Sequence, residues 1–245
     1  MVITSNSNPQ IVLLKKLQSD GKFRKKYGAY CIEGERLVKE AVKFGKKLSS
    51  VYVKESVAEY FAAQYGVTPT VVSDAVFAHV SDTVHDQGIL ATVELPSGGV
   101  CAPLGNCLVL ENVRDPGNMG TLLRTAAAVG ISDVYTIDCV DAYSPKVLRS
   151  AMSAHFALNL HDGSKEEVFE AVSGNFVVCA DMGGDDVFDF TVKQPFALVL
   201  GNEGNGLTEF ARSHCNATVS LPMKNNIESL NVSVAGSILM YLLAK

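Results

Sequence analysis

The sequence predicts an α/β protein in two units, the second built on a parallel sheet. Three observations carry this expectation. Strand-like and helix-like patterns alternate along the whole chain. Short, fully apolar runs such as Phe196-Ala197-Leu198-Val199-Leu200 fit parallel strands covered on both faces. A stretch rich in Pro, Ser and Gly near residue 100 separates one alternating series from the next.

Taken in order, Ile11 to Leu17 reads as a short helix and Ala29 to Ile32 as a strand. Glu35 to Phe44 reads as a helix closed by Gly45. Val51 to Val53 is a strand, Val57 to Tyr65 a helix before Gly66, and Thr70 to Val72 a strand. Ile89 to Val93 completes this unit, placed at residues 1–95. Pro96-Ser97-Gly98-Gly99, Pro103 and Gly105 mark a linker over 96–105. The second unit, 106–245, has strands at 107–111, 133–137, 176–180, 196–200 and 217–220. Its expected helices are 118–129 and 229–243.

Composition narrows the function. The 245 residues are 47% hydrophobic and 19% charged, enough apolar material for a core. Net charge is -5, so the chain is not a uniformly basic nucleic-acid binder. The charge is uneven, however: residues 1–54 carry twelve lysines and arginines against four acidic groups. Within them Lys22-Phe23-Arg24-Lys25-Lys26-Tyr27 interleaves cations and aromatics, so phosphate contact and base stacking could share one loop. No apolar run is long enough for a membrane-spanning helix, and the first ten residues lack signal-peptide character. The six cysteines form no CxxC pair and are expected to be reduced, buried thiols in a cytoplasmic protein. No cysteine and histidine spacing suits zinc, and no metal is expected.

Three polar loops follow apolar strands. The first, Glu111 to Gly120, turns through Pro116-Gly117 into a helix whose N-cap is expected to be Asn118. Arg124 is the single charge between Asp115 and Asp133, and a lone cation on an apolar helix is costly unless it faces a cleft or a partner. Gly120, over which Arg124 should lean, is expected to leave it room. The second loop, Gly201-Asn202-Glu203-Gly204-Asn205-Gly206-Leu207, lies where α/β proteins bind ligands but lacks the dinucleotide glycine spacing. The third, Leu221 to Asn231, leads to Ser229, an expected N-cap for the apolar final helix.

Together these loops resemble the three signature motifs of the SpoU/TrmH branch of the SPOUT RNA methyltransferases. The resemblance rests on Asn112-x-Arg114-Asp115-Pro116-x-Asn118-x-Gly120 with Arg124-Thr125-Ala126, on Gly201-Asn202-Glu203-Gly204-x-Gly206-Leu207, and on Pro222-Met223 with Ser229-Leu230-Asn231-Val232-Ser233-Val234-Ala235. Residues 105–245 carry it. The N-terminal unit resembles the small RNA-binding domain, similar to a ribosomal protein, found on ribosomal-RNA members. The resemblance implies a trefoil-knotted methyltransferase domain, a homodimer, and S-adenosylmethionine as cofactor. It implies a cofactor pocket at Leu200, Gly201, Asn202, Gly206, Leu221, Met223 and Leu230. It assigns catalysis to Arg124, supported by Asn118, Glu203, Ser229 and Asn231, while RNA contact is expected at Lys22, Arg24, Lys25 and Lys26 of the basic cluster and at Arg114. The implied reaction is methylation of a ribose 2′-hydroxyl in large-subunit ribosomal RNA. A transfer-RNA substrate and a catalytically silent RNA-binding protein of the same fold are the alternatives. A nucleotide-dependent oxidoreductase is disfavoured by the missing glycine fingerprint.

Overall fold

The computed structural model describes residues 2–62, 65, 68–202 and 204–244. They group into two units: Met1–Ser97 with Tyr143–Arg149, and Gly98–Ala142 with Ser150–Lys245.

In the first unit, β1 (Val2–Ile3) leads to α1 (Pro9–Ser19), capped by Asn8, whose side chain accepts the Gln10 amide at 2.9 Å. Then follow α2 (Gly21–Tyr27), β2 (Ala29–Glu33), α3 (Glu35–Lys43), β3 (Leu48–Lys54), α4 (Ala58–Phe61), β4 (Thr70–Val72), α5 (Asp74–Val80) and β5 (Ile89–Glu94). The strands form a mixed sheet ordered β1-β4-β3-β5-β2, in which β5 runs antiparallel to both neighbours. Ile11, Leu14 and Leu17 of α1 pack with Val76, Phe77 and Val80 of α5 against one face of this sheet.

Two expectations change here. The helix expected over Val57 to Tyr65 is a 3-10 turn at Glu55–Val57 followed by the short α4, and Gly66 lies outside the described residues. The segment Lys22 to Tyr27, read as a loop, is helical. Asp20 caps it by accepting the Phe23 amide at 3.0 Å, and Gly28 ends it in left-handed backbone at φ 76°. Helical geometry turns Arg24 inward, where it is 4% exposed. Its Nη1 donates to Leu17 O at 2.6 Å and Gln18 O at 2.9 Å, satisfying carbonyls at the end of α1. Arg24 is therefore a buried strut between two helices and not the phosphate contact expected of it.

The second unit runs β6 (Cys107–Glu111), α6 (Pro116–Ala128), β7 (Asp133–Ile137), α7 (Pro145–Ala151), β8 (Asn159–Asp162), α8 (Lys165–Ala171), β9 (Phe176–Asp186), β10 (Phe196–Leu200), α9 (Glu209–Ser213), β11 (Ala217–Ser220) and α10 (Val232–Leu243), with the first residues of α7 grouping with the first unit. Its sheet is parallel throughout, in the order β11-β9-β10-β6-β7-β8. Side chains alternate between its faces. Cys107, Val109, Ala197 and Val199 meet Val168 and Phe169 of α8 and Ala211 of α9. On the other face α10 fits tightly: a Cβ at Gly236 would lie 2.4 Å from Leu200 Cδ1 and 2.6 Å from Leu122 Cδ2.

Helices α7, α8 and α9 and edge strand β8 were not anticipated, because each is too short or too polar for a periodic signal. Two caps also differ. Asp115, not Asn118, caps α6, because Pro116 occupies the first helical position and the Asp115 side chain accepts the Asn118 amide at 2.9 Å. Asn231, not Ser229, caps α10, accepting the Ser233 amide at 2.9 Å. Nor are all thiols free: Cys179 of β9 is bonded to Cys215, which precedes β11. Strand pairing brings together two cysteines that sequence spacing gave no reason to join.

Arg24→Ala should lower stability by about 2–3 kcal/mol, the cost of losing a buried charged donor and leaving carbonyls unmet. Lys25→Ala and Lys26→Ala, both exposed, should change it by less than about 0.5 kcal/mol. Urea unfolding reads both, and a neutral Arg24→Ala would show that the strut carries nothing.

Candidate active site

A parallel sheet delivers the loops after all its strands to one edge, the usual binding edge of α/β proteins. Here that edge receives the loops after β6, β10 and β11, which carry the three sequence motifs. A cleft of about 630 Å³ opens among them, within the range of cofactor sites. Leu200, Gly201, Asn202, Gly206, Leu221, Met223 and Leu230, the seven residues proposed from the sequence, all line it. Its lining mixes apolar side chains such as Leu200, Leu221 and Leu239 with polar ones such as Asn205, Ser220 and Glu228, and it leaves loop backbone accessible, a mixture that suits a nucleoside carrying an aliphatic sulfonium chain.

The glycine loop closes on itself. Asn202 and Gly206 exchange backbone hydrogen bonds, each 3.0 Å. The Asn202 Oδ1 accepts the amides of Gly204 and Asn205 at 2.8 and 3.1 Å. Its Nδ2 donates to Asn112 O at 2.8 Å, fastening the loop to the end of β6. A Cβ on Gly201 would lie 2.5 Å from the Gly206 carbonyl. The close backbone approach at Gly201 is thus made first within the loop.

Among the described residues, sequence reasoning missed three charged residues of the cleft, Asp181, Arg212 and Glu228. Asp181 and Arg212 line it and form an ion pair. The pairing partner of β11 jumps along β9 from Cys179 to Asp185, so residues 180–184 leave the ladder and carry Asp181 to the cleft. The end of the strand expected at 176–180 was the available signal. Arg212 lies on α9, which gave none.

The proposed catalytic residues come from both sides of the edge. Asn118, in the first turn of α6, accepts from Asn231 Nδ2 through its Oδ1 at 3.0 Å. Asn231 therefore caps α10 and ties it to the start of α6. Farther along, Thr125 Oγ1 and Ser237 Oγ join the same helices at 2.9 Å. Arg124 is exposed on α6, and its guanidinium meets no hydrogen-bond or ion-pair partner among the described residues. Gly120 does not give it room: a Cβ there would lie 2.4 Å from Ser150 Cβ, so the space belongs to α7. Ser229 is exposed and lines the cleft. Glu203 lies outside the described residues.

Of the residues proposed for RNA contact, Lys22, Lys25 and Lys26 are exposed on α2, where Phe23 and Tyr27 stack with ring centroids 5.7 Å apart. Arg114 is exposed, and its Nη2 donates to Asn112 Oδ1 at 3.2 Å. Thiol chemistry has no place at this edge. Burial pushes Cys139, beside the end of β6, up to about 11, and Cys107, at the opposite end of that strand, up to about 12. Neither is an available nucleophile near neutral pH.

Comparisons agree with this geometry. The SpoU rRNA Methylase family matches residues 105–241, and the MRM3-like substrate binding domain matches residues 8–91. The 23S rRNA (guanosine(2553)-2′-O)-methyltransferase RlmP of Bacillus subtilis (strain 168) is 31% identical over 243 residues, 98% of this chain and 97% of the relative. An uncharacterized tRNA/rRNA methyltransferase of Synechocystis sp. is 31% identical over 255 residues, 98% of this chain and 92% of the relative. The crystal structure of an AdoMet-bound rRNA methyltransferase from Sinorhizobium meliloti superposes with a TM-score of 0.88 at 25% identity, covering 99% of this chain and 96% of that one.

Gly201→Ala should weaken S-adenosylmethionine binding at least about tenfold, because the Gly206 carbonyl must move. Gly204→Ala, whose Cβ would meet Asn202 Oδ1 at an ordinary 3.5 Å, should change it less than about threefold. Equal effects by calorimetry would deny the tight closure its role.

Proposed function

This chain belongs to the SpoU rRNA methylase family and is an RNA methyltransferase, and we propose that it methylates a ribose 2′-hydroxyl in large-subunit ribosomal RNA. The single observation that carries the reading is the convergence of the seven expected pocket residues on one cleft, with Asn118 and Asn231 bonded beside it. The cleft's apolar side chains and loop backbone fit S-adenosylmethionine, which supplies an electrophilic methyl group when bound.

In the proposed mechanism, Leu200, Leu221, Met223 and Leu230 hold the adenosyl portion and exclude water, while Gly201, Asn202 and Gly206 offer backbone amides and carbonyls. Arg124 addresses the ribose. A guanidinium remains cationic in proteins, so its contribution is to hold the 2′-oxygen and stabilise charge developing on it. The hydroxyl proton would leave to bulk solvent, and the cofactor, when bound, would supply a methyl carbon whose bond to sulfur breaks with the electron pair staying on sulfur. The Asn118–Asn231 bond fixes the helix carrying Arg124 against the helix capped beside the cleft, and alignment of donor and acceptor depends on such fixing. Ser229, at the rim, and Glu203 complete the proposed set.

The homodimer is part of the same proposal. Val234, Ile238 and Tyr241 are exposed at helical spacing on α10 and form an apolar stripe suited to a two-fold contact. The trefoil knot is also proposed, supported by the placement of β10 between β9 and β6. The exposed Lys22, Lys25 and Lys26, with Tyr27 54% exposed, support an RNA face on α2, with Arg114 as a contact near the cleft.

Arg124→Ala should reduce single-turnover methyl transfer by about 10²–10³ while S-adenosylmethionine affinity stays within a few-fold of parent. Arg124→Lys should restore part of the rate if charge alone suffices, and none if the planar fork positions the ribose. An alanine variant within a few-fold of parent removes Arg124 from the mechanism. Replacing Lys25 and Lys26 together by alanine should flatten the salt dependence of RNA binding by about one unit of slope per lost phosphate contact or less. An unchanged slope moves the RNA face elsewhere. Sedimentation at micromolar concentration should find a dimer, and a fully active monomer would contradict that assembly.

A further inference from the structure

We propose that Glu111 is a positioning residue for the cofactor, clamping the glycine loop shut from outside the cleft. The inference rests on the reading that S-adenosylmethionine binds against that loop. Cys107-Leu108-Val109-Leu110 is wholly apolar and buried, and Glu111 ends the strand with a carboxylate only 1% exposed. A buried carboxylate is tolerated only where strong donors meet it. Both oxygens meet the same residue: Thr208 Oγ1 donates to Oε1 at 2.7 Å, and the Thr208 amide donates to Oε2 at 2.9 Å.

Thr208 follows directly on the glycine loop. Its hydroxyl also accepts the Ala211 amide at 3.2 Å, capping α9. At the opposite end of the loop, Asn202 Nδ2 donates to the carbonyl of Asn112, the residue after Glu111. Two consecutive residues at the end of β6 therefore grip both ends of the 201–208 segment. Glu111 does not line the cleft and acts only through Thr208. The segment it fixes contributes Gly201, Asn202 and Gly206 to the cleft wall, so the clamp sets the shape of the cofactor site. The strand composition already held the signal: an apolar run that ends in a buried charge marks a carboxylate with a specific partner.

The test uses the full chain and S-adenosylmethionine calorimetry, with melting temperatures and methyl transfer to purified large-subunit RNA measured in parallel. Glu111→Gln keeps the shape but sets an amide NH₂ against one of the two Thr208 donors. Thr208→Val removes the hydroxyl, and Thr208→Ser retains it. Glu111→Gln and Thr208→Val should each weaken cofactor affinity about tenfold, with kcat at saturating cofactor within about threefold of parent. The double variant should be no worse than the more damaging single one, because both break one contact. Thr208→Ser should bind as parent. Cofactor affinity unchanged in Glu111→Gln, with only the melting temperature lowered, would overturn the proposal and leave Glu111 a structural residue. Independent, multiplying effects in the double variant would overturn it as well. A parent chain that takes up no S-adenosylmethionine would sink the cofactor reading itself, a result distinct from either.

Discussion

In an all-parallel sheet every strand ends at the same edge, and the rest of the second unit depends on that constraint. Pairing β10 between β9 and β6 places Leu200 and Glu111 at neighbouring strand ends. Their loops must then meet. Buried apolar strands cannot satisfy polar loop groups, so the loops satisfy one another: Asn202 with Asn112, Thr208 with Glu111, and Asn118 with Asn231. The cleft is the space those bonds leave open. Helices on both faces fix it, as the missing side chain at Gly236 shows, since any Cβ there would strike Leu200 and Leu122.

Much of this was legible in the sequence. The strands 107–111, 133–137 and 196–200 fall where the residue pattern places them, because burial along their whole length leaves mostly hydrophobic runs, and the edge strand 217–220, buried only at Val219, falls there too. The seven cleft residues were legible through the resemblance of the second and third loops to known motifs, and Leu200, Gly201 and Leu221 sit at the ends of β10 and β11. What escaped had a common cause: dependence on partners distant in sequence. Asp181 reaches the cleft only because β9 leaves its ladder beside β11. Cys179 and Cys215 meet only through strand pairing. Gly120 looked like room for Arg124, yet the occupant is Ser150 of α7, a helix the sequence did not reveal.

Arg24 shows the limit of reading charge as function. A run of cations beside aromatics drew attention to residues 22–27, but a helix offers different faces to successive residues. Lys22, Lys25 and Lys26 face solvent, and Arg24 faces the carbonyls of α1. One arginine joins two helices while its lysine neighbours are exposed. At Arg124 the inference ran the other way: an isolated cation on a helix of apolar and small residues is exposed and meets no partner among the described residues, which leaves its guanidinium open to a substrate.

The central claim is that this edge brings a sulfonium methyl to a ribose oxygen. Transfer of radiolabelled methyl from S-adenosylmethionine to purified large-subunit ribosomal RNA, followed by digestion to nucleosides and chromatography, tests it most directly. The account predicts that the label elutes in a single 2′-O-methylated nucleoside. Label in a base-methylated nucleoside, or none transferred to RNA by a chain that binds the cofactor, would contradict it.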